Sequence, residues 1–306
     1  MTELLKLRER LMVFYDEGSA YINLLLKFLL ALVFFMNINS TLGFVEQINN
    51  IFVVLVLALI CSLLSFFATM AVGFLLVIGH CYAVGIEVAL IALILFSVLL
   101  IFYLRFAGGD SLAVILTPFS YAFNLPCAIP MGLGLLRGPT SAFASVCGTI
   151  FYYFMGVVRE HAPTIQAIEK TEVAKRVQIL VDALIKNQDM WLTIVASIAV
   201  VVIIYALRRL AVNYAWTIAI ITGAVCYLLI MLGAGLSMNT QIAPLATLVQ
   251  VLVSCGMMFV IKFFVFNVNY KRTRSLQYED DEYHYFVKAV PKVTGEEVDR
   301  KENENG

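Results

Sequence analysis

The chain has 306 residues, with 21 basic and 21 acidic side chains and a formal net charge of zero. It is 61% hydrophobic and 14% charged, with mean hydropathy +0.90, which excludes an ordinary soluble globular domain. The charges crowd the first residues, a central stretch and the tail, and no basic face interleaved with aromatics marks a nucleic-acid surface.

Met1 to Tyr15 places Leu4, Leu7, Leu11 and Phe14 on one helical face, with Lys6, Arg8, Glu9 and Arg10 elsewhere. That pattern predicts an interfacial amphipathic helix over residues 1–20. Its basic residues put the amino terminus in the cytoplasm by the positive-inside rule. Met1 to Tyr21 has mixed charges and no continuous apolar core, so no cleavable signal peptide is expected. A first span follows from about Ile22 to Met36, with Lys27 near enough to its start to snorkel. A polar loop, Asn37 to Asn50, comes next, and Asn39-Ser40-Thr41 within it matches a glycosylation acceptor.

Between Ile51 and Phe106 one side chain, Glu87, is charged at neutral pH before Arg105. As a single helix this run would reach roughly 84 Å, nearly three times a hydrocarbon layer of about 30 Å. The chain is therefore expected to be polytopic. Three crossings (about Ile51–Phe67, Ala68–Val84 and Glu87–Arg105) are the most economical reading; two long tilted helices are the alternative.

Residues 107–139 hold Pro118, Pro126, Pro130 and Pro139, four of the seven prolines, together with five glycines. Proline removes a backbone donor and clashes with the preceding turn, so a helix must break near Asn124-Leu125-Pro126. Broken backbone is tolerated at membrane depth only where protein or a wet cavity surrounds it. This segment is expected to be a re-entrant hairpin or a discontinuous helix inside a first transmembrane bundle, residues 21–158. Gly138-Pro139-Thr140-Ser141 then starts a cleaner span, in which Ser141, Ala144, Ser145 and Gly148 form a small-residue face for close packing.

Residues 159–190 are read as an extracytoplasmic amphipathic helix, with Val173, Val177, Leu180, Val181 and Leu184 opposed by Lys175, Arg176, Asp182 and Lys186. Three spans follow in residues 191–268, and a cytoplasmic tail occupies 269–306. The expected fold is all-α: a polytopic transmembrane helix bundle of about eight crossings with a broken or re-entrant segment and both termini cytoplasmic. No internal repeat stands out.

The broken segment carries the main functional expectation. Thr117, Ser120, Tyr121, Asn124, Pro126, Pro130, Arg137, Thr140 and Ser141 are the candidate substrate-binding residues, because transporters use exposed amides and carbonyls at helix breaks. The competing reading is that these prolines and glycines only shape packing. Glu87 and His80 are candidates for ion coupling, since an ionisable group within a span is a functional hypothesis by default. The six cysteines read as small apolar contact residues. H-E-x-x-H, Walker A and G-x-S-x-G patterns are missing, so neither an enzyme nor a cofactor is expected.

In the tail, Tyr278, Asp280, Asp281, Tyr283, Tyr285 and Val287 are candidate partner-binding residues. Tyr283 to Lys288 alternates with period two; an isolated strand cannot stand alone, so this segment is either disordered or adds to a partner's sheet edge. The closing run Phe264-Val-Phe-Asn-Val-Asn-Tyr270, with Tyr278-Glu-Asp-Asp-Glu-Tyr283, Val287-Lys-Ala-Val-Pro291, Leu104-Arg-Phe106 and Pro126-Cys-Ala-Ile-Pro130, resembles a family of uncharacterised multi-spanning membrane proteins of anaerobic Gram-positive bacteria. Some of its members carry the label of ATP-binding-cassette transporter permease. The resemblance implies a plasma-membrane location, a permease-like role and a cytoplasmic partner for the tail, an ATP-binding subunit among the options. It transfers no active site, and the Glu-Ala-Ala coupling-loop pattern of importer permeases is missing here. The leading expectation is thus a permease-like protein moving a small solute or ion in the bilayer. The alternative is a membrane scaffold that recruits a partner through its tail.

Overall fold

The computed structural model describes residues 2–169, 172–238, 243–265, 274–280 and 282–289. Among the described residues eleven α-helices run in order: α1 Thr2–Thr41, α2 Ile51–Leu63, α3 Phe66–Val84, α4 Ile86–Phe106, α5 Ser111–Ala122, α6 Ala128–Leu136, α7 Ala142–Ala167, α8 Val173–Ile185, α9 Gln188–Arg208, α10 Ala215–Met238 and α11 Pro244–Val265. A 3₁₀ turn, Pro139–Ser141, leads into α7. Seven of these helical stretches are long and apolar enough to cross a membrane. The chain is an all-α polytopic helix bundle.

Local chemistry sets the breaks in the long apolar run. Asn50 caps α2 by accepting from the Phe52 amide, and Ser65 caps α3 by accepting from the Ala68 amide. The run therefore holds three helices, and the first turn falls at Leu64-Ser65 rather than at Phe67–Thr69. At 13 residues, α2 is only about 20 Å long.

Side-chain contacts fix the helix directions. Lys27 Nζ reaches the Leu64 carbonyl at 3.2 Å, so the end of α2 lies beside the lower part of α1. His80, near the end of α3, meets Asn39 near the end of α1. Arg208 at the end of α9 donates to the carbonyls of Leu135 and Arg137 at the end of α6. Arg8 donates to the Phe264 carbonyl at the end of α11, 3.0 Å away. The start of α1 and the end of α11 thus share one end of the bundle. With α2 added to the seven long stretches the described helices traverse the bundle eight times, and α5–α6 enters and leaves at one end.

Two apolar cores result. In the first, Phe34, Phe74, Phe96, Phe151 and Phe154 interlock with ring centroids 4.7–5.8 Å apart. The second joins α6 to α9, α10 and α11 through Met131, Leu135, Val200, Ile204, Tyr227 and Met258.

Four sequence expectations change. The interfacial helix over 1–20 and the first span are one continuous 40-residue helix, because nothing between Tyr15 and Ile22 stops it; Gly18 alone costs about 1 kcal/mol. Asn39 is not in a loop: it lies inside α1, is buried, and donates to the Ile48 carbonyl, so it is a poor glycosylation acceptor. α7 continues past Arg159 to Ala167, since Ala162 and Ile165 carry its buried stripe onward. Arg176, read as part of the polar face of α8, is buried instead.

The tail carries the remaining difference. The alternating strand does not need a foreign edge, because Arg274–Glu279 (β1) pairs antiparallel with His284–Ala289 (β2), Tyr278 opposite Tyr285. Asp281 lies outside the described residues.

Candidate functional site

The prolines and glycines of the broken segment build a helical hairpin with a root and a tip. At its root, Asp110 Oδ1 meets Arg137 Nε at 3.0 Å. Burial pushes the Asp110 carboxyl above its ordinary value, and the half-exposed Arg137 offsets this only in part. Arg208 clamps the second leg through the Leu135 and Arg137 carbonyls.

At the tip, the chain reverses in a Schellman motif. The Leu125 amide donates to Ser120 O at 2.7 Å and the Asn124 amide to Tyr121 O at 2.9 Å. Asn124 takes φ +54°, the left-handed conformation that asparagine tolerates better than most residues. Pro126 follows, where it cannot continue the helix, and Pro130 sits in the first turn of α6. These residues form the break; Asn124 itself is exposed.

The hairpin is seated by close approach. A Cβ on Gly148 of α7 would lie 2.5 Å from Thr117 Cβ, so α5 rests directly on the α7 backbone. The small-residue face read from the sequence serves this contact. Thr117 and Ser120 donate to carbonyls of their own helix, at Ala113 and Thr117, and Ser141 donates to Gly138. Arg137, Thr140 and Ser141 belong to the root, separated from Tyr121 and Asn124 by nine residues of α6, about 14 Å. The nine candidate substrate residues therefore do not converge. The reason is that the break is followed by a second helical leg rather than by the next span.

Tyr121 is the candidate whose hydroxyl reaches across to α7. Its hydroxyl lies 3.0 Å from Thr149 Oγ1, and its ring stacks on Tyr152 with centroids 4.5 Å apart. Tyr153 meets it edge-on and reaches Thr193 Oγ1 at 3.4 Å. Around this node, Ser145 on α7, Ser197 on α9 and Tyr227 on α10 are at most 1% exposed. Their three hydroxyl oxygens have no hydrogen-bond partner among the described residues. A buried hydroxyl left so costs on the order of 1–3 kcal/mol. Such a group calls for water or a polar ligand.

Sequence reading took Ser145 for packing and passed over Thr149, Tyr153, Thr193, Ser197 and Tyr227. The available signal was the i, i+4 spacing of hydroxyls, 145/149 on α7 and 193/197 on α9, which aligns each pair on one face.

The ion-coupling candidates are both committed elsewhere. His80 Nδ1 accepts from the Val45 amide at 3.3 Å, so its Nε2–H donates to Asn39 Oδ1 at 2.9 Å. This neutral imidazole latches the 42–50 loop onto α1 and α3. Glu87 Oε1 pairs with Arg176 Nη1 at 2.9 Å, the two side chains 7% and 5% exposed. Arg176 Nε also donates to the Ile165 carbonyl, tying α8 to α7. Gly85 makes room: a Cβ there would stand 2.6 Å from Glu87 Oε2.

All six cysteines are free thiols. No group of three or more His, Cys, Asp or Glu able to hold a metal occurs among the described residues. In the tail, Asp280 Oδ1 accepts from the amides of Glu282 and Tyr283, and its Oδ2 accepts from the Tyr285 hydroxyl at 2.9 Å. Tyr283, Phe286 and Val287 are exposed.

No family model, curated protein or solved structure matches this chain. Its helices identify an integral membrane protein.

Proposed function

We propose that this protein is a permease-like conductor of a small, uncharged polar solute, which passes the α5–α6 hairpin and is held at the hydroxyl cluster. The observation that carries the reading is the set of three buried hydroxyls without a partner among the described residues: Ser145 and Ser197, one helical turn from the Thr149 and Thr193 that Tyr121 and Tyr153 touch, and Tyr227. Hydroxyls donate and accept equally, which suits a polyol, an amide or water. The candidate carboxylate, Glu87, is held by Arg176, so an inorganic cation has less to recognise.

Sidedness is part of the proposal. Arg8, Arg105, Arg137, Arg208 and Arg209 gather at the end that holds the hairpin root, which favours the cytoplasm for that end and for both termini. The resemblance named above favours the plasma membrane of a Gram-positive cell.

The test is stopped-flow light scattering of proteoliposomes challenged with glycerol, urea or sucrose gradients. Wild-type vesicles should re-equilibrate glycerol or urea faster than protein-free vesicles, and Tyr121→Phe or Ser197→Ala should alter that rate at equal protein content. Identical traces for protein-loaded and empty vesicles with every solute would refute transport of this class.

A scaffold role has an observation of its own. The β1–β2 hairpin exposes Leu276, Tyr283 and Phe286, and a lone two-stranded sheet is marginal in water. Deleting residues 274–289 while the spans remain should abolish the cellular phenotype if recruitment is the function, and leave solute flux intact.

A further inference from the structure

We propose that the groove between α1, α5 and the start of α3 binds one acyl chain of an anionic phospholipid, whose phosphate is held by Lys27. The proposal is independent of the transport reading.

The groove encloses about 800 Å³. Leu30, Val33 and Phe34 of α1 face Ile115, Leu116 and Phe119 of α5 across it. Its polar lining consists of Asn23 and Lys27, one turn apart on α1, so all of its polarity gathers at one end. An apolar slot with a cation at its mouth complements an amphiphile with an anionic head.

The depth of that mouth follows from its neighbours. Lys27 Nζ donates to the Leu64 carbonyl at 3.2 Å and stands 5.4 Å above the Phe66 ring, so it marks the α2–α3 turn. Phe67, just past that turn, stacks on Tyr103, two residues before Arg105 at the end of α4. The mouth therefore opens at the basic end of the bundle, near headgroup level.

Lys27 has the capacity to bind phosphate. An ammonium carries three donors, and Leu64 takes one. Asn23 Oδ1 accepts from the Tyr15 hydroxyl at 2.8 Å, which leaves its amide NH₂ as a further donor at that end. The walls offer nothing to a water-soluble ligand, whereas a lipid brings its own tail and the bilayer delivers it laterally.

The test uses the full chain reconstituted in nanodiscs of equal phosphatidylglycerol and phosphatidylcholine with matched acyl chains, then released into mild detergent. Native mass spectrometry counts the lipids that remain bound. Wild type should retain phosphatidylglycerol in preference to phosphatidylcholine. Lys27→Gln should lower that preference about fivefold, the worth of one basic residue near an anionic surface, and Lys27→Arg should restore it. Leu116→Trp, which fills the slot and leaves the cation in place, should reduce retention of both lipids. Equal retention of the two lipids by wild type, an unchanged preference in Lys27→Gln, or undiminished binding in Leu116→Trp would each overturn the proposal. Should Lys27→Gln fail to fold, the arginine and tryptophan variants still decide it.

Discussion

Replacing Arg176 by methionine should be among the most destabilising single changes in this protein. The side chain is about as long, so little volume is lost, but Glu87 is left as a carboxylate in a site that is 7% exposed. Two unit charges about 4 Å apart attract by about 4 kcal/mol at an effective dielectric constant near 20. Breaking a buried pair from one side costs about 3–5 kcal/mol, since the remaining charge is uncompensated. Arg176→Met also removes the Nε donor to the Ile165 carbonyl, adding about 1 kcal/mol. Glu87→Gln should cost less, because an amide oxygen still accepts from the guanidinium. The double variant should be more stable than the sum of the two losses by at least about 2 kcal/mol. Unfolding free energies in detergent, measured by steric trapping for all four proteins, give the coupling directly. Additive losses, with coupling under about 0.5 kcal/mol, would refute the claim that this pair acts as a unit holding α8 onto α4.

Three further outcomes are expected. Gly148→Val should unseat the hairpin and cost about 1–3 kcal/mol by overpacking against Thr117, and Thr117→Ala should recover part of it, as read by thermal melts. Asn124→Gly should be neutral within about 1 kcal/mol, whereas Asn124→Val should cost more, because a β-branched residue resists φ +54°. In the tail, backbone amides of Glu282 and Tyr283, followed by the Tyr285 hydroxyl, hold the Asp280 carboxyl below its ordinary value. A depressed folded-state value means that this support is complete above the unfolded value of about 3.9 and is lost as pH falls through the lowered one. Amide protection of Glu282 and Tyr283 in the full chain should thus be flat from about pH 8 to 5 and collapse only in stronger acid, a pattern that Asp280→Asn removes.

Much of the architecture was legible because hydrocarbon forces it. The three helices of the 51–106 run, the break at Asn124-Leu125-Pro126, and the span starting at Pro139 all follow from apolar length and from what proline and glycine do to a backbone. The site was less legible, for a physical reason. Residue type announces where a helix stops but not where the next leg goes, so Arg137, Thr140 and Ser141 were grouped with Tyr121 across what proves to be the length of α6. Glu87 and Arg176 are 89 positions apart. A single sequence offers no way to pair them, and an arginine on an amphipathic helix is ordinarily solvated. The hydroxyl cluster escaped for a related reason, because a serine in a small-residue face reads as packing until its neighbours on other helices are known.

The short α2 connects these features. At about 20 Å it falls roughly 10 Å short of the hydrocarbon thickness, while α9, α10 and α11, at 21, 24 and 22 residues, run about 32–36 Å. The bundle is therefore taller on one flank than on the other. α2 covers α1 only as far as Leu63, and Leu24, Leu25 and Leu26 before that point are exposed. Lys27 stands where that cover stops. Mismatch costs fractions of a kcal/mol per Å, and a bilayer can relieve it by thinning or by drawing headgroups inward. A phosphate held by Lys27 at the level of the α2–α3 turn stands on that flank, and the groove beside it gives the lipid's tail a place to lie. The end of α2 thus sets the mouth of the lipid site. Lengthening α2 by two apolar turns should close that mouth and abolish the phosphatidylglycerol preference while Lys27 remains in place.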